Sequence, residues 1–110
     1  MDQTLEIIEI GTAGDATMVL RLKGPVLIAN LFPFQTKVRE YQAQNLVLDM
    51  TEVPYIDSAA MGVLVGAYVS REKSGKDLLL VGVTPRVRAV LQVTQVERFF
   101  KFADKMPDRA

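Results

Sequence analysis

The stretch Leu46–Tyr68, LVLDMTEVPYIDSAAMGVLVGAY, decides the fold of this chain. It opens with a continuous apolar run, Leu46–Met50, which has the length and composition of a buried central strand. A loop over Thr51–Ile56 follows. Asp57-Ser58 then places a helix-capping pair ahead of a long apolar segment. The order strand, loop and capped helix is the unit from which a helix-covered sheet is built.

The sequence on both sides of this stretch also alternates between predicted strands and predicted helices. Two short runs rich in β-branched residues, separated by the turn-forming cluster GTAGDA, predict an antiparallel hairpin. Further along, another apolar run predicts a buried strand, and a Thr-Pro pair predicts the start of a helix. The predicted elements are hairpin strands at Leu5–Ile10 and Thr17–Leu22, a helix from Asp57-Ser58 to about Ser74-Gly75, a strand at Leu78–Val81, a helix from Thr84-Pro85 to about Val93, and an aromatic segment at Val96–Phe102 that closes one end of the core.

One more helix is predicted between the hairpin and the central strand. Asn30 is of the type that caps helices, and Pro33 falls in the first turn, where a missing N–H costs little. The helix is predicted to run to about Gln44. Its buried face comprises Phe34, Val38 and Tyr41. Phe32 is expected in the core as well, with an exposed apolar lip formed by the segment LFPF as the alternative.

The order of elements predicts one α/β domain over residues 1–110, with a mixed sheet covered by helices.

The amino-acid composition excludes several classes of function. Lysine plus arginine and aspartate plus glutamate both number 13, so the chain lacks the basic surplus of a general nucleic-acid binder. Cysteine and histidine are absent, which removes disulfides, the commonest zinc ligands and histidine acid–base catalysis. No glycine-rich phosphate loop is present. We therefore predict a binding module without metal or cofactor rather than an enzyme.

The sequence also predicts a cytoplasmic location. The start, MDQTLEIIEI, has no basic segment followed by an apolar one, so no secretory signal is expected. The longest apolar run, Ala59–Val69, is interrupted by Gly62 and Gly66 and is too short to cross a bilayer. No membrane insertion is expected, and the oligomeric state stays open.

The stretch Leu46–Phe102 resembles the STAS domain. The resemblance is carried by LVLDMTEVPYIDSAAMGVLVGAY, followed by a Gly-Lys turn, the strand LLLV and the helix TPRVRAVLQVT. Within that family the stretch is most similar to bacterial anti-sigma factor antagonists, and its most specific part is the Ile-Asp-Ser segment between strand and helix. The resemblance implies a STAS-like mixed β-sheet with helices packed mainly on one face.

The resemblance also implies a phosphorylation switch. In that family, the serine of the Asp-Ser motif is phosphorylated by a partner that is both a serine kinase and an anti-sigma factor. The matching residue here is Ser58, with Asp57 before it and Asp49 in the preceding strand. The unphosphorylated chain would bind the anti-sigma factor and free the sigma factor, and the phosphorylated chain would release its partner. The expected partner is a protein and not a nucleic acid.

The position of Ser58 supports the same interpretation on physical grounds. Unpaired N–H groups at the start of a helix favour a negative group, so a phosphate there should not melt the helix. It would add about −1.5 to −2 charges to the surface presented to a partner. The alternative is that Asp57-Ser58 is only a helix cap. Asp49, similarly, either assists phosphate chemistry or magnesium binding near Ser58, or only caps a loop or an adjacent helix.

The second helix is apolar on nearly every side, which predicts either burial all round or an exposed docking face. Its residues Ala60, Val63, Leu64 and Ala67 are expected to pack on the sheet. Met61, Val65 and Val69 would then face outward, and Gly62 and Gly66 would let another backbone come close. The candidate partner-binding residues are Asp49, Asp57, Ser58, Met61, Gly62 and Val65. The alternative is that neighbouring helices cover this face.

Two departures from the family pattern keep other functions open. Ala59 and Ala60 stand where the family usually has Ser or Thr and then Gly, and Leu27 stands where an acidic residue is common. The main alternative is therefore a non-phosphorylated STAS subunit or scaffold of a transport or lipid-trafficking assembly. A sensor of nucleotides or other small ligands is a third hypothesis.

Overall fold

The computed structural model describes residues 4–11 and 16–105 of the chain. Five strands, three α-helices and one 3-10 turn occupy the described residues. They are β1 (Glu6–Ile10), β2 (Thr17–Lys23), α1 (Phe32–Glu40), β3 (Asn45–Glu52), α2 (Ser58–Lys73), β4 (Asp77–Val81), α3 (Pro85–Val93), a 3-10 turn (Glu97–Phe99) and β5 (Lys101–Ala103).

The strands form one sheet in the order β1-β2-β3-β4-β5. β1 and β2 are antiparallel, with Ile10 opposite Val19, which confirms the predicted hairpin. Residues 12–15 of its turn lie outside the described residues. The other neighbouring strands are parallel, so each connection between them must return to the opposite end of the sheet. α1, α2 and α3 make these three connections in turn.

All three helices lie on one face of the sheet. Leu46, Leu48 and Met50 of β3 belong to the same buried cluster as the buried residues of every helix. Val47 points to the other face, because side chains alternate along a strand, and joins a separate small cluster with Val19 and Val81. The predicted mixed sheet with helices mainly on one face is confirmed.

The aromatic segment near the carboxyl end contains a strand, β5, that the sequence did not predict. Phe102 of β5 lies beside Leu80 of β4. Phe100 is buried, and Tyr68 of α2 stacks on Phe99 and meets Phe100 edge to face, with ring centroids 5.6 and 5.9 Å away. The segment therefore closes one end of the core as expected, although Phe99 and Phe102 are only half-buried.

α1 begins without the predicted cap. The residue before it, Leu31, makes no capping side-chain hydrogen bond. Asn30 instead accepts a hydrogen bond from the Leu27 N–H and donates one to the Pro25 carbonyl, both at 2.9 Å. The prediction that Asn30 caps the helix was wrong, because the short amide side chain stabilises the turn ahead of the helix.

α1 also ends earlier than predicted, at Glu40 rather than near Gln44, and a buried arginine of α2 explains the difference. The chain turns extended directly after the helix. The Arg71 guanidinium donates to four backbone carbonyls, those of Tyr41, Ala43, Gln44 and Asp77. A continued helix would have used some of these carbonyls itself, so the contact with Arg71 stabilises the extended connection to β3.

Candidate functional site

Asp57 and Ser58 form the amino-terminal end of α2. Asp57 is the N-cap residue, and its carboxylate accepts a hydrogen bond from the Ala60 N–H at 2.9 Å. Ser58 is the first helical residue and is exposed, and its hydroxyl makes no hydrogen bond within the described residues. The predicted start of the helix is confirmed. The capping role belongs to the aspartate, which leaves the serine hydroxyl free for another purpose.

The second oxygen of the Asp57 carboxylate fixes a distant loop beside this helix end. It accepts a hydrogen bond from the Ile28 N–H at 2.8 Å. The Asp57 N–H donates to the Val26 carbonyl at 3.3 Å, and the Val26 N–H donates to the Tyr55 carbonyl at 3.2 Å. The loop between β2 and α1 is therefore tied to the segment that leads into Ser58.

Two backbone donors remain open at the start of α2. The Met61 N–H makes the first helical hydrogen bond, to the Asp57 carbonyl at 3.0 Å, and the Ala60 N–H is held by the Asp57 carboxylate. The N–H groups of Ser58 and Ala59 have no partner within the described residues. No acidic residue lies in the first helical turn. This end of the helix can therefore accept an anion, and a phosphate on Ser58 would supply one.

Two exposed apolar side chains, one on the fixed loop and one at the start of α1, lie at the end of the sheet where α2 begins. Ile28 is 62% exposed, and Phe32, the first residue of α1, is 66% exposed. We call Ile28 and Phe32 the apolar lip. The expectation of a core position was right for Phe34 and wrong for Phe32, so the alternative of an exposed lip holds for part of LFPF. The sequence reasoning missed Ile28, although the loop GPVLIANL carried a signal, since it combines apolar residues with no charge.

A groove of about 520 Å³ runs between α1 and α2. Gly62 and Gly66 are exposed along it, and a Cβ atom added to either would meet nothing within 4 Å. Gln35 and Arg39 of α1 line the other side. The face of α2 that carries the glycines is therefore open, as the docking hypothesis requires. Neither Gln35 nor Arg39 was singled out from the sequence.

The side of α2 that faces α3 is more covered than predicted. Met61 and Val65 are half-buried and pack against the main core. The hydroxyl oxygen of Thr94, at the end of α3, contacts the Met61 sulfur at 3.0 Å. The prediction that these two side chains face outward was wrong, because α3 contacts that side, whereas Val69 is exposed as predicted. The apolar residues of α2 that are fully buried are Ala60, Leu64 and Ala67.

Asp49 does not lie at this site. It is two residues from Val47 in β3, so its side chain is on the face of the sheet without helices. Its carboxylate accepts hydrogen bonds from the Thr51 N–H at 3.1 Å and the Thr51 hydroxyl at 2.7 Å, and contacts Arg21 Nε at 3.3 Å. These contacts are closer to the capping alternative, but Thr51 belongs to β3 rather than to a loop, so Asp49 stabilises the end of its own strand.

We expect Asp57→Ala to lower the free energy of unfolding by about 1–2 kcal/mol, since it removes an N-cap and the hydrogen bond to the loop. Urea denaturation measures the change. The control is Ser58→Ala at the neighbouring position, which should change stability by less than about 0.5 kcal/mol, because its hydroxyl is unbonded. Equal losses in the two variants would mean that Ser58 shares the capping role.

Within residues 4–11 and 16–105, no group of three or more metal-ligating side chains could hold a metal ion. In the same part of the chain, no helix combines the length and the apolar character that a membrane span needs.

Comparison with known proteins identifies the family. The sequence pattern of the STAS domain matches residues 7–108, which include every strand and helix except the first residue of β1. This chain belongs to the STAS domain family. The match includes the Asp57-Ser58 helix end, the apolar lip and the groove of this STAS domain.

Individual relatives are similar over different lengths. The anti-sigma-B factor antagonist of Listeria monocytogenes is 39% identical over 65 residues, which cover 53% of this chain and 57% of the relative. The STAS domain described here spans about half the length of the curated relatives it matches. A candidate anti-sigma factor antagonist from Thermotoga maritima superposes with a TM-score of 0.79 at 25% identity, covering 91% of this chain and 87% of that one.

The fold is shared with a transporter family as well. A sulfate transporter family protein from Wolinella succinogenes superposes with a TM-score of 0.62 at 24% identity, covering 84% of this chain and 80% of that one. This likeness concerns the fold alone.

Proposed function

We propose that this STAS domain is an anti-sigma factor antagonist of the bacterial cytoplasm. It binds a kinase-type anti-sigma factor through Ser58 and α2, which frees a sigma factor, and it loses this partner when Ser58 is phosphorylated. The observation that carries the proposal is the exposed, unbonded Ser58 hydroxyl at a helix start with two open N–H donors. The name of the Listeria relative supports the same function.

The proposed modification places all the catalytic chemistry in the partner. The Ser58 oxygen bonds to the γ-phosphorus of ATP held by the anti-sigma factor, ADP leaves, and the hydroxyl proton is released. The chain itself needs only to present an accessible hydroxyl. The helix end then tolerates the product, since its open N–H groups and its dipole favour a negative charge.

Phosphate would act on binding rather than on folding. A docked partner covers Ser58, so a phosphate there would be taken out of water without a matching cation on this chain's first helical turn. Weakening a complex about 100-fold requires only about 2.7 kcal/mol, and burying an unpaired phosphate can exceed that. The switch therefore needs no change of fold.

The experiment begins with capture of partners from the native host, followed by incubation of the purified kinase-type anti-sigma factor with this STAS domain and ATP. We expect one phosphate, located at Ser58 by mass spectrometry and absent in Ser58→Ala. The matched control is Ser70→Ala, which alters another exposed serine of α2 and should still be phosphorylated. Phosphate on a different residue, or none with an active kinase, would contradict the proposal.

The departures from the antagonist pattern at Leu27, Ala59 and Ala60 favour a second candidate, a subunit or scaffold of a transport assembly. That function needs no phosphorylation of Ser58. It would be indicated by capture of a membrane transporter in equal amounts by the wild type and by Ser58→Asp.

A further inference from the structure

Phe32 of the apolar lip lies on the same face of α1 as two residues that line the groove. Phe32, Gln35 and Arg39 follow each other at helical spacing, so they lie along one face of α1. Gln35 and Arg39 line the groove, and Phe32 continues their row toward the amino-terminal ends of both helices. Ser58 lies at that same end. The surface therefore runs from the lip, past Ser58, along the groove.

The open row of α2 residues gives this surface its length. Ser58, Gly62, Gly66 and Ser70 are exposed and follow at intervals of four residues. At 1.5 Å per residue they span about 18 Å, the length of roughly 12 helical residues. Because the two glycines leave open space above the helix, another backbone can come close along this row. The dimensions suit a partner helix lying between α1 and α2.

Charge indicates which kind of helix fits. Arg39 makes no ion pair within the described residues, and no carboxylate lines the groove. Arg71, the other cation of its lining, is committed to backbone carbonyls. The groove thus offers one available positive charge at a distance of about two helical turns from the apolar lip. A helix with apolar residues at one end and a carboxylate two turns away complements both features.

We propose that the kinase-type anti-sigma factor inserts one amphipathic helix of about three turns into this groove, with apolar side chains on Ile28 and Phe32 and a carboxylate on Arg39. This inference rests on the proposed function and names the surface through which it works. Ser58 lies where the lip meets the groove, under the bound helix. A phosphate at that point would have to be desolvated against apolar side chains, which explains why one modification could release the partner.

Three variants on this surface test the inference with the purified anti-sigma factor, by titration calorimetry. Phe32→Ser removes one of the two side chains of the lip, Gly62→Leu fills the groove, and Arg39→Glu reverses the charge. Each should raise the dissociation constant at least about tenfold, as central interface residues do. The control is Val93→Ser on α3, which is 81% exposed and outside the groove, and which should change the dissociation constant less than about twofold.

Gly62→Leu should fold as the wild type does, because a Cβ atom at Gly62 meets no neighbour and leucine favours a helix more than glycine does. Thermal unfolding checks all four variants. If the wild type binds the anti-sigma factor and the three variants bind it as well as Val93→Ser does, the inference fails and the proposed function stands. If the wild type binds no anti-sigma factor, both fail.

A second copy of this chain could also occupy the groove between α1 and α2, and this possibility must be excluded. Sedimentation of the wild type alone should show a monomer at concentrations where it binds the anti-sigma factor. Self-association that Gly62→Leu abolishes would assign the groove to a second copy and overturn the inference.

Discussion

Replacing Arg71 with methionine is expected to lower the free energy of unfolding by about 3–5 kcal/mol, because it leaves several buried backbone carbonyls without a donor. Arg71 is only 4% exposed, and burial lowers the pKa of its guanidinium from the usual value. Its hydrogen bonds to four backbone carbonyls offset that cost. Methionine keeps most of the side-chain volume but leaves these carbonyls unbonded, each at a cost of about 1–3 kcal/mol unless water reaches it.

Urea denaturation of Arg71→Met measures this loss. The matched control is Arg39→Met, which changes an exposed arginine lining the same groove and should alter stability by less than about 0.5 kcal/mol. A loss below about 1 kcal/mol in Arg71→Met would mean that water or local rearrangement satisfies the carbonyls. The carboxyl-terminal part of α1 should extend in that case, which the far-ultraviolet circular dichroism spectrum would report.

Arg71 also explains why the end of α1 could not be predicted from the sequence. Helical spacing is a local signal, and it correctly placed Phe34 and Val38 on the buried face of the helix, whereas Tyr41 lies just after the helix and is half-buried. The competing signal is a side chain about 30 residues away that binds the carbonyls after Glu40. Local propensity is a weak prior when a buried tertiary contact opposes it.

The central part of the site was predictable because its signals are local. Asp57 caps the helix that begins at Ser58, and the residue types and their spacing predict that arrangement. The second hydrogen bond of Asp57, to Ile28, joins residues that are 29 positions apart. No pattern in the sequence specifies that contact, so the position of Ile28 beside the start of α2 appeared only in the structure.

β5 was missed for a different reason. The segment ending in Phe102 is rich in aromatic residues, which favour strands and cores equally. It contains only three strand residues, and a 3-10 turn precedes them directly. Only pairing with β4 distinguishes this strand from a core-filling loop.

Replacing Ser58 with aspartate is expected to weaken binding to the kinase-type anti-sigma factor about 100-fold while leaving the fold intact. The substitution should raise the stability of the folded domain while it lowers the affinity for the partner. A carboxylate in the first turn of α2, which has no acidic residue now, should stabilise the helix by about 0.3–1 kcal/mol. The same charge, covered by a docked helix beside Ile28 and Phe32, would lose its water without gaining a cation.

The uncharged variant Ser58→Asn separates charge from size. It has nearly the shape of the aspartate and should keep most of the affinity, so the difference between the two dissociation constants measures the charge alone. Denaturation curves recorded on the same samples should show Ser58→Asp at least as stable as the wild type. If asparagine and aspartate weaken binding equally, the surface at Ser58 rejects bulk rather than charge. A phosphate would then act by its size, and the electrostatic switch proposed for this helix end would be wrong.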